Sequence, residues 1–164
     1  MAFKRWEYRG GRPNLLAKIQ NRFWAILHAA GIFPQRYVTL EVAGRKSGKT
    51  VSFPLAMATV GGERYLVSML GKDANWVKNV RAAGGYATLR HGRSEPVRLV
   101  EVDAALRAPI IKAYLQIAPG ARPHIPVDKD APLSAFEKIA ADFPVFRISQ
   151  DAPFAPSQHI NDVN

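Results

Sequence analysis

The chain has 164 residues, 48% hydrophobic and 22% charged, which is enough apolar content for one domain with a buried core and too little length for two. Its twelve Gly and twelve Pro are scattered, so collagen-like, low-complexity and repeat architectures are excluded, and with no Cys there is no disulfide framework, thiolate metal site or cysteine nucleophile. The formal charge of +10 is concentrated at the start: residues 1–49 hold ten Lys/Arg against two acids, and residues 99–164 hold six against eight. A basic region of this kind suits nucleic acid, an anionic membrane surface, a phosphate-bearing ligand or simple solubility.

Residues 13–30 read as a helix that starts at Pro13 and is stopped by Gly31 and Pro34. At about 100° per residue, Leu15, Leu16, Ile19, Phe23, Ile26, Leu27 and Ala30 fall within an arc of about 120°. Such a face packs on a core or lies in a membrane interface. The interfacial alternative is favoured by Lys18, Arg22, Phe23 and Trp24 and by the net charge of +5 over residues 1–22. The longest apolar run, residues 24–33, contains His28 and falls short of the roughly 18 residues a spanning helix needs. We expect a cytoplasmic protein, peripheral on the inner face of the membrane.

From Arg36 the period changes to that of a strand, and Val38, Leu40 and Val42 alternate with Tyr37, Thr39 and Glu41. A glycine-bounded turn, Gly44 to Lys49, leads into strands over 51–60 and 65–70 joined by Gly61 and Gly62. A short helix over 75–83 ends at Gly84 and Gly85, with Asp73 placed to cap it. Strands over 86–91 and 95–102 follow, then a helix over 104–117 that contains Pro109, a proline-rich loop, a helix over 133–141 and a last strand over 145–148. Strands joined as hairpins with a few helices predict an α+β fold: an antiparallel barrel of about six strands with an N-terminal amphipathic helix and peripheral helices. The expected organisation is a basic segment over 1–35, a barrel over 36–150 and a tail over 151–164.

Two clusters carry candidate chemistry. The first is Arg45, Lys46, Ser47 and Lys49 on the glycine-framed turn, where bent backbone amides, a hydroxyl and cations can satisfy phosphate oxygens together. The glycine and lysine spacing is not that of a Walker loop. The second is Ser68, Leu70, Gly71 and Lys72 with Trp76 and Asn79, a strand end running into a helix N-terminus. Trp76 either packs in the core or lies against a planar ring. The four histidines, at 28, 91, 124 and 159, lack metal-site spacing, and no GxSxG elbow is present. We expect no metal and, without an RNA- or DNA-binding pattern, no nucleic-acid partner.

Together GRKSGK, Pro54-Leu55 and the W-x-x-N of Trp76 and Asn79 resemble the deazaflavin-dependent nitroreductase family, a branch of the flavin/deazaflavin oxidoreductases with a split β-barrel. The resemblance implies coenzyme F420, a deazaflavin with a phosphate and an oligoglutamate tail, with FMN or no cofactor as alternatives. It places Arg45, Lys46, Ser47, Lys49, Ser68, Gly71 and Lys72 at the phosphate, Pro54 and Leu70 in the same groove, and has Trp76 and Asn79 shape the helix beside the ring. The activity implied is hydride transfer to an apolar, lipid-like substrate, with Phe53, Met57 and Tyr114 as its pocket. The alternative is a non-catalytic fatty-acid or lipid-binding barrel at the membrane surface. Relatives with this barrel are often homodimers.

Overall fold

Strand β1 (Tyr37–Ala43) turns its β-branched and aliphatic residues Val38, Leu40 and Val42 inward, all buried, and forms a hairpin with β2 (Thr50–Val60) in a register running from Tyr37↔Ala56 to Ala43↔Thr50. In this computed structural model the described residues are 37–150. The expected amphipathic helix with Lys18, Arg22, Phe23 and Trp24, and the tail over 151–164, lie outside them.

Strand β2 continues through Gly61 and Gly62 into β3 (Glu63–Val67), and then the chain enters helix α1 (Asn75–Ala82). That helix ends in a Schellman motif: Gly84 at φ 65° donates to the Arg81 carbonyl and Gly85 to that of Val80. Its start differs from the expectation. Ala74 occupies the N-cap without a side-chain hydrogen bond, and Asp73 is exposed one residue too early to cap.

Strands β4 (Tyr86–Arg90) and β5 (Ser94–Glu101) form the next hairpin. The single helix expected over 104–117 divides into a tight turn at Ala104–Leu106 and helix α2 (Ala108–Ile117). Pro109 then falls in the first turn of α2, where its missing N–H costs nothing. Arg107 sits at this junction, buried, with its guanidinium donating to the Val102 and Ala140 carbonyls and to Glu101. It thereby ties β5, α2 and the turn after helix α3 (Leu133–Ile139) together.

Strand β6 (Val145–Ser149) inserts between β3 and β5, and the barrel closes in the order β1-β2-β3-β6-β5-β4 with every pair antiparallel. The barrel wall separates two apolar clusters. Inside are Leu40, Met57, Leu66, Leu89, Val97 and Phe146, covered at one end by Trp76, Val77 and Val80 of α1. Outside, α2 and α3 pack Ile111, Tyr114, Leu115 and Phe136 over Ala58 and Val67. Burying each of these large side chains contributes about 1.5–3 kcal/mol, so both faces of β2 and β3 stabilise the fold.

Candidate cofactor site

The Gly44 to Lys49 turn closes on itself. The Gly44 amide donates to the Lys49 carbonyl at 2.8 Å, the Gly48 amide to the Gly44 carbonyl at 2.8 Å, and the Lys49 amide to Ser47 Oγ at 3.2 Å. Ser47 therefore shapes the turn and stays exposed. Lys46 and Lys49 are exposed, and no acid among the described residues pairs with either.

The loop after β3 ends at the same mouth of the barrel. Ser68 is fully buried; its amide donates to the Pro144 carbonyl at 2.9 Å and its hydroxyl to the Gly71 carbonyl at 2.6 Å. Gly71 has φ 86°, and a Cβ there would lie 3.3 Å from the Asp142 carbonyl oxygen. Ser68 and Gly71, expected at the phosphate, both build the loop here, because a buried hydroxyl must find a partner and Ser68 finds it in the Gly71 carbonyl. Leu70 packs against the interior core. Lys72 alone of this group presents a charge to solvent, again without an acidic partner among the described residues.

Helix α1 joins the two clusters. Asn79 is 4% exposed, and its Oδ1 accepts from the Arg45 amide at 3.2 Å and from Arg45 Nη1 at 2.8 Å; Asn75 Oδ1 accepts from Arg45 Nη2 at 3.3 Å. The N of W-x-x-N thus holds a turn 34 residues away. Sequence reasoning missed Asn75, whose position one turn earlier on the same helix was the available signal. The W of the motif is a core residue, 6% exposed, with its ring centroid 5.5 Å from that of Phe146 at 58°. Of the two readings of Trp76, its packing on Phe146 accords with the core one.

The pocket expected from Phe53, Met57 and Tyr114 does not form. Phe53 and Met57 point into the barrel interior, while Tyr114 lies beyond the wall under α2 with Ala56 and Ala58. The two-residue period of β2 forces this separation. Burial pushes the Tyr114 phenol up, and no described residue hydrogen-bonds its hydroxyl. Pro54 shares the outer face, opposite Thr39.

A groove that the sequence did not indicate opens where the β1–β4 ladder stops at Glu41↔Thr88. It has a volume of about 280 Å³ and is lined by Glu41, Ala43, Thr50, Tyr86, Thr88 and Pro96. Ala43 and Thr50 are also the closing pair beneath the basic turn, so groove and turn are contiguous. Arg98 stands 5.7 Å over the Tyr86 ring.

At the opposite mouth, Glu95 accepts from Arg64 at 2.6 and 3.1 Å and from Gln150 at 3.1 Å, with His91 Nε2 at 3.4 Å. The Arg64 hydrogen bonds hold the Glu95 carboxyl well below the usual carboxylate range, at about 2. Arg64 is thereby neutralised within the fold, whereas Arg93 on the β4–β5 turn is exposed with no acidic partner among the described residues.

Residues 19–117 match the F420H(2)-dependent quinone reductase family. The chain belongs to that family. F420 is accordingly the cofactor of the F420H2-dependent quinone reductase group to which this barrel is assigned. The chain is also similar to several solved structures. One, described as a domain-swapped dimer, is 18% identical, with 83% of this chain and 100% of that one covered at a TM-score of 0.52. A protein of unknown function from Agrobacterium tumefaciens is 10% identical over 76% of this chain and 52% of its own, at 0.52. An F420-H2 dependent reductase is 22% identical over 70% and 95%, at 0.45. No curated protein matches the chain. The family's cofactor suits the charge at the α1 mouth, because three ammonium groups without an acidic partner among the described residues are what a phosphate and a polycarboxylate tail require.

Proposed function

We propose that this member of the quinone reductase family binds F420H2 at the α1 mouth of the barrel and reduces an apolar, quinone-like acceptor. The observation that carries the reading is the convergence of Lys46, Lys49 and Lys72, each without an acidic partner among the described residues, on one end of the barrel, whereas Arg64 at the opposite end is matched by Glu95. When bound, F420H2 supplies the hydride, so the protein's task is orientation and electrostatics. In this reading Lys46 and Lys49 hold the phosphate, and Lys72 meets the carboxylates of the tail. Arg45 and Asn79 keep the turn aimed, and the contiguous groove takes a planar ring. The acceptor class follows the family's quinone, since Met57 belongs to the core and Phe53 packs against it.

Titration with F420 and FMN in parallel, read by fluorescence quenching, tests this. Tighter binding of F420, weakened by Lys46→Ala and Lys72→Ala, supports it. Equal or tighter binding of FMN overturns it.

We further propose that residues 1–30 dock the protein on an anionic membrane, supported by the net +5 of residues 1–22 next to Phe23 and Trp24. Vesicle sedimentation checks this: wild type is expected on anionic and not on neutral vesicles, with loss of binding in Phe23→Glu. A homodimer is proposed on the barrel's resemblance alone, and sedimentation velocity decides it. Among the described residues no helix is long and apolar enough to cross a membrane. The barrel interior is filled by side chains, and nothing in it favours the fatty-acid carrier.

A further inference from the structure

The arginines at the two mouths of this barrel are fixed by different acceptors. At the far mouth Arg64 is held by a carboxylate, which cancels its charge. At the α1 mouth Arg45 is held by two amides, Asn79 at 2.8 Å and Asn75 at 3.3 Å, and no carboxylate among the described residues pairs with it. A neutral acceptor orients a guanidinium and leaves its charge intact. Asn79 also accepts from the Arg45 backbone amide, so the same oxygen fixes both the side chain and the start of the turn. The helix carrying both amides is anchored in the core by Trp76, Val77 and Val80, which makes it a rigid support.

We propose that Asn79 and Asn75 are positioning residues that aim Arg45 without neutralising it, so that its charge adds to the field felt by an anionic group on the Gly44 to Lys49 turn. Arg45 then supplies field and turn geometry, while Lys46 and Lys49 make the direct contacts. The inference rests on the phosphate reading given under Proposed function. It adds a requirement that reading lacks: the acceptor on α1 must be polar and must also be neutral.

The experiment compares binding of F420 with binding of the same deazaflavin chromophore lacking its phosphate and glutamate tail, by fluorescence quenching, in wild type, Arg45→Ala, Asn79→Asp and Asn75→Asp. Asn79→Asp keeps an acceptor for Arg45 and cancels its charge. It is expected to retain the wild-type Tm or exceed it, to weaken F420 by about tenfold, and to leave the tail-less chromophore unchanged. Asn75→Asp, at a half-buried and more tolerant position, is expected to do the same to a smaller degree, and carries the test if the buried carboxylate prevents folding. Arg45→Ala is expected to match Asn79→Asp in its selective effect on F420. A merely structural role for the amides predicts that the Asp variants bind F420 as wild type does, and that result overturns the proposal. Equal weakening of both chromophores overturns it too. A wild type that binds both chromophores equally removes the phosphate reading itself and this inference with it.

Discussion

The two mouths of the barrel each hold an arginine, under opposite conditions. At one, Arg64 is clamped by Glu95, with His91 and Gln150 closing the network and the carboxyl held at about 2. At the other, Lys46, Lys49 and Lys72 are exposed with no acid among the described residues to answer them, and Arg45 is held by neutral amides. A cation matched inside the fold contributes to stability. A group of unmatched cations contributes nothing to stability and repels weakly, yet raises the local concentration of anions. The contrast separates a matched pair that stabilises the barrel from a group of cations that offers a ligand something to bind.

The comparison breaks first at Glu95. Replacing it with Ala leaves Arg64 half-buried without its partner. We expect a loss of about 2 kcal/mol, less than for a fully buried pair because Arg64 keeps access to water. This corresponds to about 4–8 °C in Tm for a chain of this size, with F420 affinity unchanged. Equal loss of affinity would show that the two mouths are not independent.

The same carboxyl fixes the pH dependence. Its folded-state pKa is depressed from 4.5 to about 2, so its contribution is fully present above the unfolded value and is lost as pH falls through this window toward 2. Denaturant titrations between pH 6 and 2.5 are expected to show a steeper decline for wild type than for Glu95→Gln. Parallel curves would remove the network from the stability account.

At the α1 mouth the effects reverse. Lys46→Ala and Lys72→Ala are each expected to weaken F420 by about tenfold, near 1.4 kcal/mol, and to shift stability by no more than about 0.5 kcal/mol. Raising ionic strength should weaken wild-type binding more than that of either variant. Affinity that does not respond to salt would argue that the lysines are only solvated.

The smallest effect is expected at Tyr114. Its buried hydroxyl has no hydrogen-bond partner among the described residues, so Tyr114→Phe removes an unsatisfied group and should be neutral or slightly stabilising. Quinone reduction should be unaltered as well. A lowered rate would return Tyr114 to the site.

Much of the barrel was legible because its signals are local. The alternation in β1, the Gly61-Gly62 connection and the glycine stop after α1 each depend on residues close in sequence, and the six strands fall within a residue or a few of where periodicity put them. The helix over 104–117 was read too long, because apolar spacing runs on through Pro109 and only the backbone shows that the helix starts beside it. Both basic clusters were legible as well, since glycine-framed cations stand out in any sequence.

What stayed hidden depends on contacts between distant residues. Strand parity in β2 divides Phe53 and Met57 from Tyr114, but which side is the interior is decided by the closure of β1 on β4. Ser68 reads as a free hydroxyl until the β6 segment brings Pro144 and the loop folds over it. The sequence by itself determined the strand and helix types, the basic turn and the family, through periodicity, turn chemistry and motif. Tertiary structure alone decided which charges are matched. Whether a cation meets a carboxylate, as Arg64 does, or an amide, as Arg45 does, depends on through-space distances of about 3 Å between residues some thirty positions apart.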